Sequence, residues 1–317
     1  METIEIAGVK HVYELTAPTT FPHTLVFIHG WLLSRNYWQP LIQRLAPDYQ
    51  CLAYDLRGFG QSQSSSATQS SFSYRATAPR SLTSSIQKNS WDVNYSLLNT
   101  DTANLNRYTP TAYAEDLEVL LQKLKITSAW LIGHSLGGTI ALWAASQMSE
   151  CIKGVICINA GGGIYLKEAF EQFRQTGQQL IKLRPRWLSG LPLIDLWFTR
   201  ANVTQTLARS WGRQRIIDFV AASPEAALGS LLESTTEKEV NCLPRVVSKL
   251  KQPVYFLAGA DDKIMEPKYV RHLASFHPLF QECGDNVIEI THCGHLAMLE
   301  QPDVVATGIR TILTQHS

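Results

Sequence analysis

Ser135 stands at the centre of Gly133-His134-Ser135-Leu136-Gly137, with Gly138 following. A G-x-S-x-G pentad is a weak pattern alone, but its surroundings sharpen it. The apolar run AWLI before it reads as a buried strand, and LGGTIALWAASQM after it reads as a helix. A strand-to-helix turn this tight puts its central residue in a strained backbone conformation and lifts the side chain above the sheet. Glycines two before and two after remove the Cβ atoms that would crowd the turn. The hydroxyl then lies beside a helix N-terminus, whose free N–H groups favour developing negative charge. This placement predicts a nucleophile rather than a glycine-rich packing turn.

A serine hydroxyl is a poor nucleophile near neutral pH. It needs a base, and the base needs an orienting carboxylate. Both are offered after later apolar runs: PVYFLAG leads into Ala260-Asp261-Asp262, and NVIEI into Thr291-His292-Cys293-Gly294-His295. The order serine, acid, histidine is the one expected for this kind of turn. On the residues alone, Asp261 and Asp262 both stand as the acid, and His292 and His295 both stand as the base.

These groups are far apart in the chain, so regular elements must bring them together. TIEIAGVKHVYEL has the alternation of a hairpin turning at Ala7-Gly8. TLVFIHG is a short apolar run halted by Gly30, residues 36–46 carry apolar positions at helical spacing, and CLAYD gives another strand. Thr109-Pro110 opens a helix with a capping hydroxyl and a first-turn proline, then sets Leu117, Leu120, Leu121 and Leu124 on one face. GVICINA, PVYFLAG and NVIEI repeat the buried run, and Pro302 starts a last helix carrying Val304, Val305, Ile309 and Ile312. Near-continuous apolar strands alternating with amphipathic helices predict an α/β fold, a mostly parallel central sheet with helices on both faces. Ligands of such sheets bind beyond the carboxyl ends of the strands, where Ser135 and its partners fall.

Two segments interrupt the rhythm. Residues 61–108, opening with QSQSSSATQSS, are rich in Ser, Thr, Asn and Gln, and their composition predicts a flexible insertion. Their scattered aromatics (Phe72, Tyr74, Trp91 and Tyr95) would otherwise suit a flap over a site. Residues 163–250 are helix-like, apolar and locally basic. Between 174 and 215 stand Arg174, Lys182, Arg184, Arg186, Arg200, Arg209, Arg213 and Arg215, opposed only by Asp195.

With 317 residues, 45% of them hydrophobic and 17% charged, there is material for one large domain and a full core. A net charge of +1 removes bulk electrostatics as an argument for nucleic acid. No apolar run approaches the roughly 18–20 residues that span a bilayer. The start lacks a basic stretch followed by an apolar one, so the expected location is the cytoplasm. Cysteines 51, 151, 157, 242, 283 and 293 form no C-x-x-C pair and are expected to be free thiols. No nucleotide fingerprint, P-loop or metal-ligand cluster is present, and neither cofactor nor metal is expected.

Four blocks now stand out: FIHGW at 27–31, DLRGFGQS at 55–62, GHSLGG at 133–138, and GADDKIMEP followed by CGHLAMLEQP. In them the chain resembles the α/β-hydrolase fold superfamily, specifically its lid-bearing serine hydrolases, from residue 25 to about 307. The resemblance implies a core of residues 1–162 and 251–317 and a helical lid at 163–250. It assigns Ser135 as nucleophile, His295 as base and Asp262 as acid, because the family pattern after this strand is Gly-x-x-Asp and Gly259 sets the count. It also implies an oxyanion hole built from the backbone N–H groups of Trp31 and Leu136. His29 would hold its loop, His134 would pack against the pocket, and Arg57 would brace the DLRGFG loop through hydrogen bonds. Relatives that dehalogenate alkanes or open epoxides carry aspartate at the elbow, so a serine there favours acyl transfer.

The expected activity is hydrolysis of a carboxylic ester, with a thioester as the less favoured bond, on a small molecule with an apolar moiety matched to the lid's aromatics. The lid's basic cluster is expected to solvate outer helix faces. Its alternatives are attraction of an anionic substrate, a carrier-bound acyl group or a membrane surface contacted peripherally. Two other functions compete: a binding protein or sensor that keeps the triad with little turnover, and a carbon–carbon hydrolase or perhydrolase.

Overall fold

A computed structural model of the chain describes residues 1–63, 106–161, 167–191, 193–281 and 284–316. The expected flexible insertion at 61–108 therefore lies largely outside the described residues, as do its four aromatics and Cys283. The other five cysteines are free.

Among the described residues eight strands form one sheet: β1 (Glu2–Ile6), β2 (Val9–Leu15), β3 (Thr24–Ile28), β4 (Cys51–Tyr54), β5 (Ala129–His134), β6 (Ile152–Ile158), β7 (Val254–Gly259) and β8 (Val287–Ile290). Their spatial order is β1-β2-β4-β3-β5-β6-β7-β8. The β1–β2 hairpin and the β2–β4 pair are antiparallel, and all other neighbours are parallel. The hairpin turns at Ala7 (φ 48°) and Gly8 (φ 74°), two consecutive left-handed residues whose twist suits a two-residue connection.

Every residue of β3 is buried, and alternate side chains serve opposite faces. Val26 and Ile28 join a core with Leu117 and Ile140, from the helices Pro110–Leu124 and Leu136–Gln147. Leu25 and Phe27 join a second core with Leu41 and Ile309, from Gln39–Leu45 and Pro302–Gln315. The Thr109 hydroxyl accepts the Ala112 amide at 3.1 Å, so the expected cap at this helix start is present. On the last helix Val305, Ile309 and Ile312 are buried, whereas Val304 is 46% exposed. Positions 305, 309 and 312 follow the helical repeat, and the residue before the first of them falls off that stripe.

Between β6 and β7 the described chain is helical: Lys167–Lys182, Ile194–Phe198, Arg209–Ala221, Pro224–Ser234 and Glu237–Lys249. The first four contribute to a cavity at the carboxyl end of the sheet. The fifth packs instead on the Leu136–Gln147 helix.

Candidate active site

Ser135 has φ 51° and ψ −118°, and it caps the Leu136–Gln147 helix. Its own amide donates to the Ile158 carbonyl at 3.1 Å, which hangs the turn on β6. The flanking glycines are required by contact. A Cβ on Gly137 would lie 2.1 Å from the Ile28 carbonyl oxygen, and one on Gly133 would lie 2.3 Å from that of Gly137. Both clashes are with backbone, which cannot swing aside. Strand β3, the elbow and its helix are therefore pressed together closely enough to force the serine's conformation.

Burial and distance separate the candidates in the acid and base loops. Asp261 is exposed, whereas Asp262 is buried and its Oδ2 lies 2.7 Å from His295 Nδ1. His292 is exposed, with φ 52°, while His295 is only 9% exposed. Nδ1–H of His295 is thus donated to a carboxylate, leaving Nε2 as the nitrogen available to react. The other oxygen of Asp262 accepts the amides of Ile264 at 2.8 Å and Met265 at 3.0 Å. Burial works to raise this carboxyl, but the charge and hydrogen bond of His295 and the two amides outweigh it and hold it below the ordinary carboxylate range.

Two residues absent from the sequence reading complete the frame. Asn159, with φ 48° and no exposure, donates from Nδ2 to Asp262 Oδ2 at 2.9 Å and to the Gly294 carbonyl at 3.1 Å. It is the first residue after β6, a place where ligand-facing residues of parallel sheets collect, and that position was its available signal. Glu300 is 8% exposed and accepts the backbone N–H groups of Gly294, Leu296, Thr204 and Gln205. A single carboxylate so ties the histidine loop to the segment between the helices Ile194–Phe198 and Arg209–Ala221. The His295 amide adds to this tie by donating to the Asn202 carbonyl at 3.0 Å.

Two further histidines near the site are held by backbone groups. His29 Nδ1 donates to the Gly30 carbonyl at 2.8 Å, and its Nε2 accepts the Leu56 amide at 3.0 Å, so the ring locks two loops together. His134 Nε2 lies 2.7 Å from the His295 carbonyl oxygen and donates to it. Burial, reinforced by the neighbouring His295, pushes the His134 ring down to about 3 and keeps it neutral. Arg57 contributes to the loop as expected, through the Arg107 carbonyl and a 3.1 Å ion pair with Asp116.

Among the described residues the amides of Trp31 and Leu136 donate to no protein acceptor. Ser135, His295, Trp31 and Leu136 line one cavity of about 400 Å³. The Ser135 side chain makes no capping hydrogen bond to its helix, which leaves its hydroxyl uncommitted to backbone in the cavity that His295 also lines. The rest of the wall is chiefly apolar, including Phe173, Leu180, Phe198, Phe219, Leu231 and Met265.

The basic cluster of this region divides. Arg209 and Arg213 are more than half exposed and both pair with Asp195, the solvated role expected of them. Arg184 and Arg215 depart from that expectation, since each is only 9% exposed. Arg184 donates to the Phe219 carbonyl at 2.7 Å, and Arg215 lines the cavity. Both are drawn inward by backbone carbonyls that no helix satisfies, which sequence spacing does not reveal. No helix among the described residues is long and apolar enough to cross a membrane.

The 2-succinyl-6-hydroxy-2,4-cyclohexadiene-1-carboxylate synthase of Serratia proteamaculans is 24% identical to this chain, covering 91% of it and 92% of the synthase. A pimeloyl-[acyl-carrier protein] methyl ester esterase of Stenotrophomonas maltophilia is 26% identical over 90% of this chain and 91% of its own length. Among solved structures, a thermophilic esterase from Thermogutta terrifontis superposes with a TM-score of 0.68 at 21% identity, covering 99% of both chains. The sequence model of the alpha/beta hydrolase fold matches residues 23–302, from the start of β3 to the first residue of the last helix. Sheet order, strained elbow and sequence match agree, and the chain belongs to the α/β hydrolase fold family.

Proposed function

We propose that this hydrolase cleaves a carboxylic ester, or less readily a thioester, of a small molecule with an apolar moiety, through an acyl-enzyme on Ser135. The observation that carries the reading is the sharing of one apolar cavity by a strained elbow serine and a carboxylate-held imidazole. In this reading His295 Nε2 takes the Ser135 proton as Oγ attacks the carbonyl carbon. Asp262 fixes the tautomer and stabilises the imidazolium, and the amides of Trp31 and Leu136 hold the oxyanion. The imidazolium then protonates the leaving alcohol. A water, deprotonated by His295, releases the acid. Residues 163–250 serve as the lid that shapes the cavity. The relative named as a methyl ester esterase supports the choice of bond.

The test is hydrolysis of short p-nitrophenyl esters by the wild-type protein and Ser135→Ala. The variant is expected to lose about four orders of magnitude in kcat or more while keeping its circular dichroism spectrum. Retained activity would refute Ser135 as nucleophile. Stoichiometric labelling by a fluorophosphonate with no turnover of any ester would favour the triad-bearing sensor instead.

A further inference from the structure

We propose that Arg215 and Tyr37 form a carboxylate subsite in the wall of this cavity, so that the substrate is an apolar ester whose non-reacting end carries a carboxylate. The proposal rests on the hydrolase reading above and deepens it by naming the substrate's second functional group.

Arg215 sits on the Arg209–Ala221 helix, 9% exposed, and lines the same cavity as Ser135 and His295. Its Nη1 donates to the carbonyls of Phe198 and Ala201. Among the described residues its Nε and Nη2 have no hydrogen-bond acceptor, and no carboxylate lies within salt-bridge distance. That edge of a guanidinium presents two parallel donors, the geometry that receives a carboxylate bidentately. The acids nearby are already committed. Glu300 is saturated by four backbone amides, and Asp218, one turn along the helix, accepts from Ser34 at 2.9 Å and Gln214 at 3.0 Å. A buried guanidinium with no counter-ion is costly unless an anion completes it.

Tyr37 is the second observation. It is wholly buried, lines the same cavity, and its hydroxyl has no hydrogen-bond partner among the described residues. Its ring packs on Trp211 at 5.7 Å, four residues before Arg215 and on the same helical face. Burial keeps the phenol protonated, hence a donor. One guanidinium and one neutral hydroxyl balance a single negative charge, whereas a phosphate dianion would leave charge uncompensated in an apolar wall. A carboxylate fits.

The experiment compares monomethyl adipate with methyl hexanoate, and their shorter and longer homologues, by methanol release. The wild-type protein is expected to favour the acid esters by at least about tenfold in kcat/KM, mainly through KM, as a charge-assisted pair in a partly buried site predicts. Arg215→Met is expected to bring that ratio near one, Arg215→Lys to restore part of it, and Tyr37→Phe to lower it. In a Ser135→Ala background, calorimetry with monomethyl adipate reads the subsite without turnover, and Arg215→Met should weaken binding by about tenfold. A wild-type enzyme that prefers the neutral esters, or an Arg215→Met variant that lowers both classes equally, overturns the proposal. If Arg215→Met does not fold, the wild-type ratio and Tyr37→Phe decide it alone. Binding by the Ser135→Ala protein with no hydrolysis of either ester by the wild type would sink the hydrolase reading and leave the subsite standing.

Discussion

Replacing Glu300 by glutamine removes one charge and almost no volume, so its effect isolates the clamp between the histidine loop and the segment at Thr204 and Gln205. Oε1 accepts the amides of Gly294 and Leu296, both at 3.1 Å. Oε2 accepts those of Gly294 at 3.0 Å, Thr204 at 2.7 Å and Gln205 at 3.1 Å. A glutamine must turn its NH₂ toward one set. The cheaper orientation faces Leu296, which leaves one buried N–H unpaired at about 1–3 kcal/mol. The three remaining bonds lose their charge assistance, which roughly halves such bonds, at about 0.5–1 kcal/mol each. Burying a neutral amide in place of a carboxylate returns part of this. The net expectation is a destabilisation of about 2–4 kcal/mol, a large share of the roughly 5–15 kcal/mol typical of a folded domain. Urea unfolding followed by tryptophan fluorescence measures it, with an unchanged slope as the check on a common mechanism. Because the His295 amide is itself tied to Asn202, kcat/KM on a p-nitrophenyl ester should also fall in the folded variant. A midpoint unchanged within about 0.5 kcal/mol, together with unaltered kinetics, would refute the clamp.

Asn159→Ala removes the amide that steadies Asp262 and is expected to lower kcat by about 10–100-fold, as loss of a hydrogen bond to a charged group predicts, with little change in KM. Equal rates in the two proteins would show that the aspartate needs no such support. Gly137→Ala places a methyl 2.1 Å from a backbone oxygen and is expected to destabilise by about 3 kcal/mol or more, read by thermal unfolding. Asp262 is held below its usual range, so its stabilisation is present above the ordinary carboxylate value of about 4 and is lost as pH falls through the depressed one. Asp262→Asn should therefore flatten the acid limb of a stability–pH curve.

The site was legible where its chemistry is written in local pattern. Ser135 follows from glycine spacing between an apolar run and a helix, because no other residue type tolerates the contacts at 133 and 137. The loops holding Asp262 and His295 were visible as strand ends. The residues alone left Asp261 and His292 open, and the choice of Asp262 and His295 came from family resemblance; the structure holds these two side chains 2.7 Å apart. Asn159 and Glu300 were missed because each acts on partners more than 90 residues away, apart from Glu300's own loop. The arginines between 174 and 215 look alike in sequence, yet Arg213 reaches solvent and Arg215 the cavity.

Periodicity, caps and glycine spacing thus determined the sheet, its helices and the strained turn at Ser135, since each depends on residues a few places apart. The pairing of Asp262 with His295, the clamp of Glu300 across two loops and the inward turn of Arg215 were decided only by the tertiary structure. These depend on which backbone groups remain unpaired once the elements pack, and that is set by distances through space rather than along the chain.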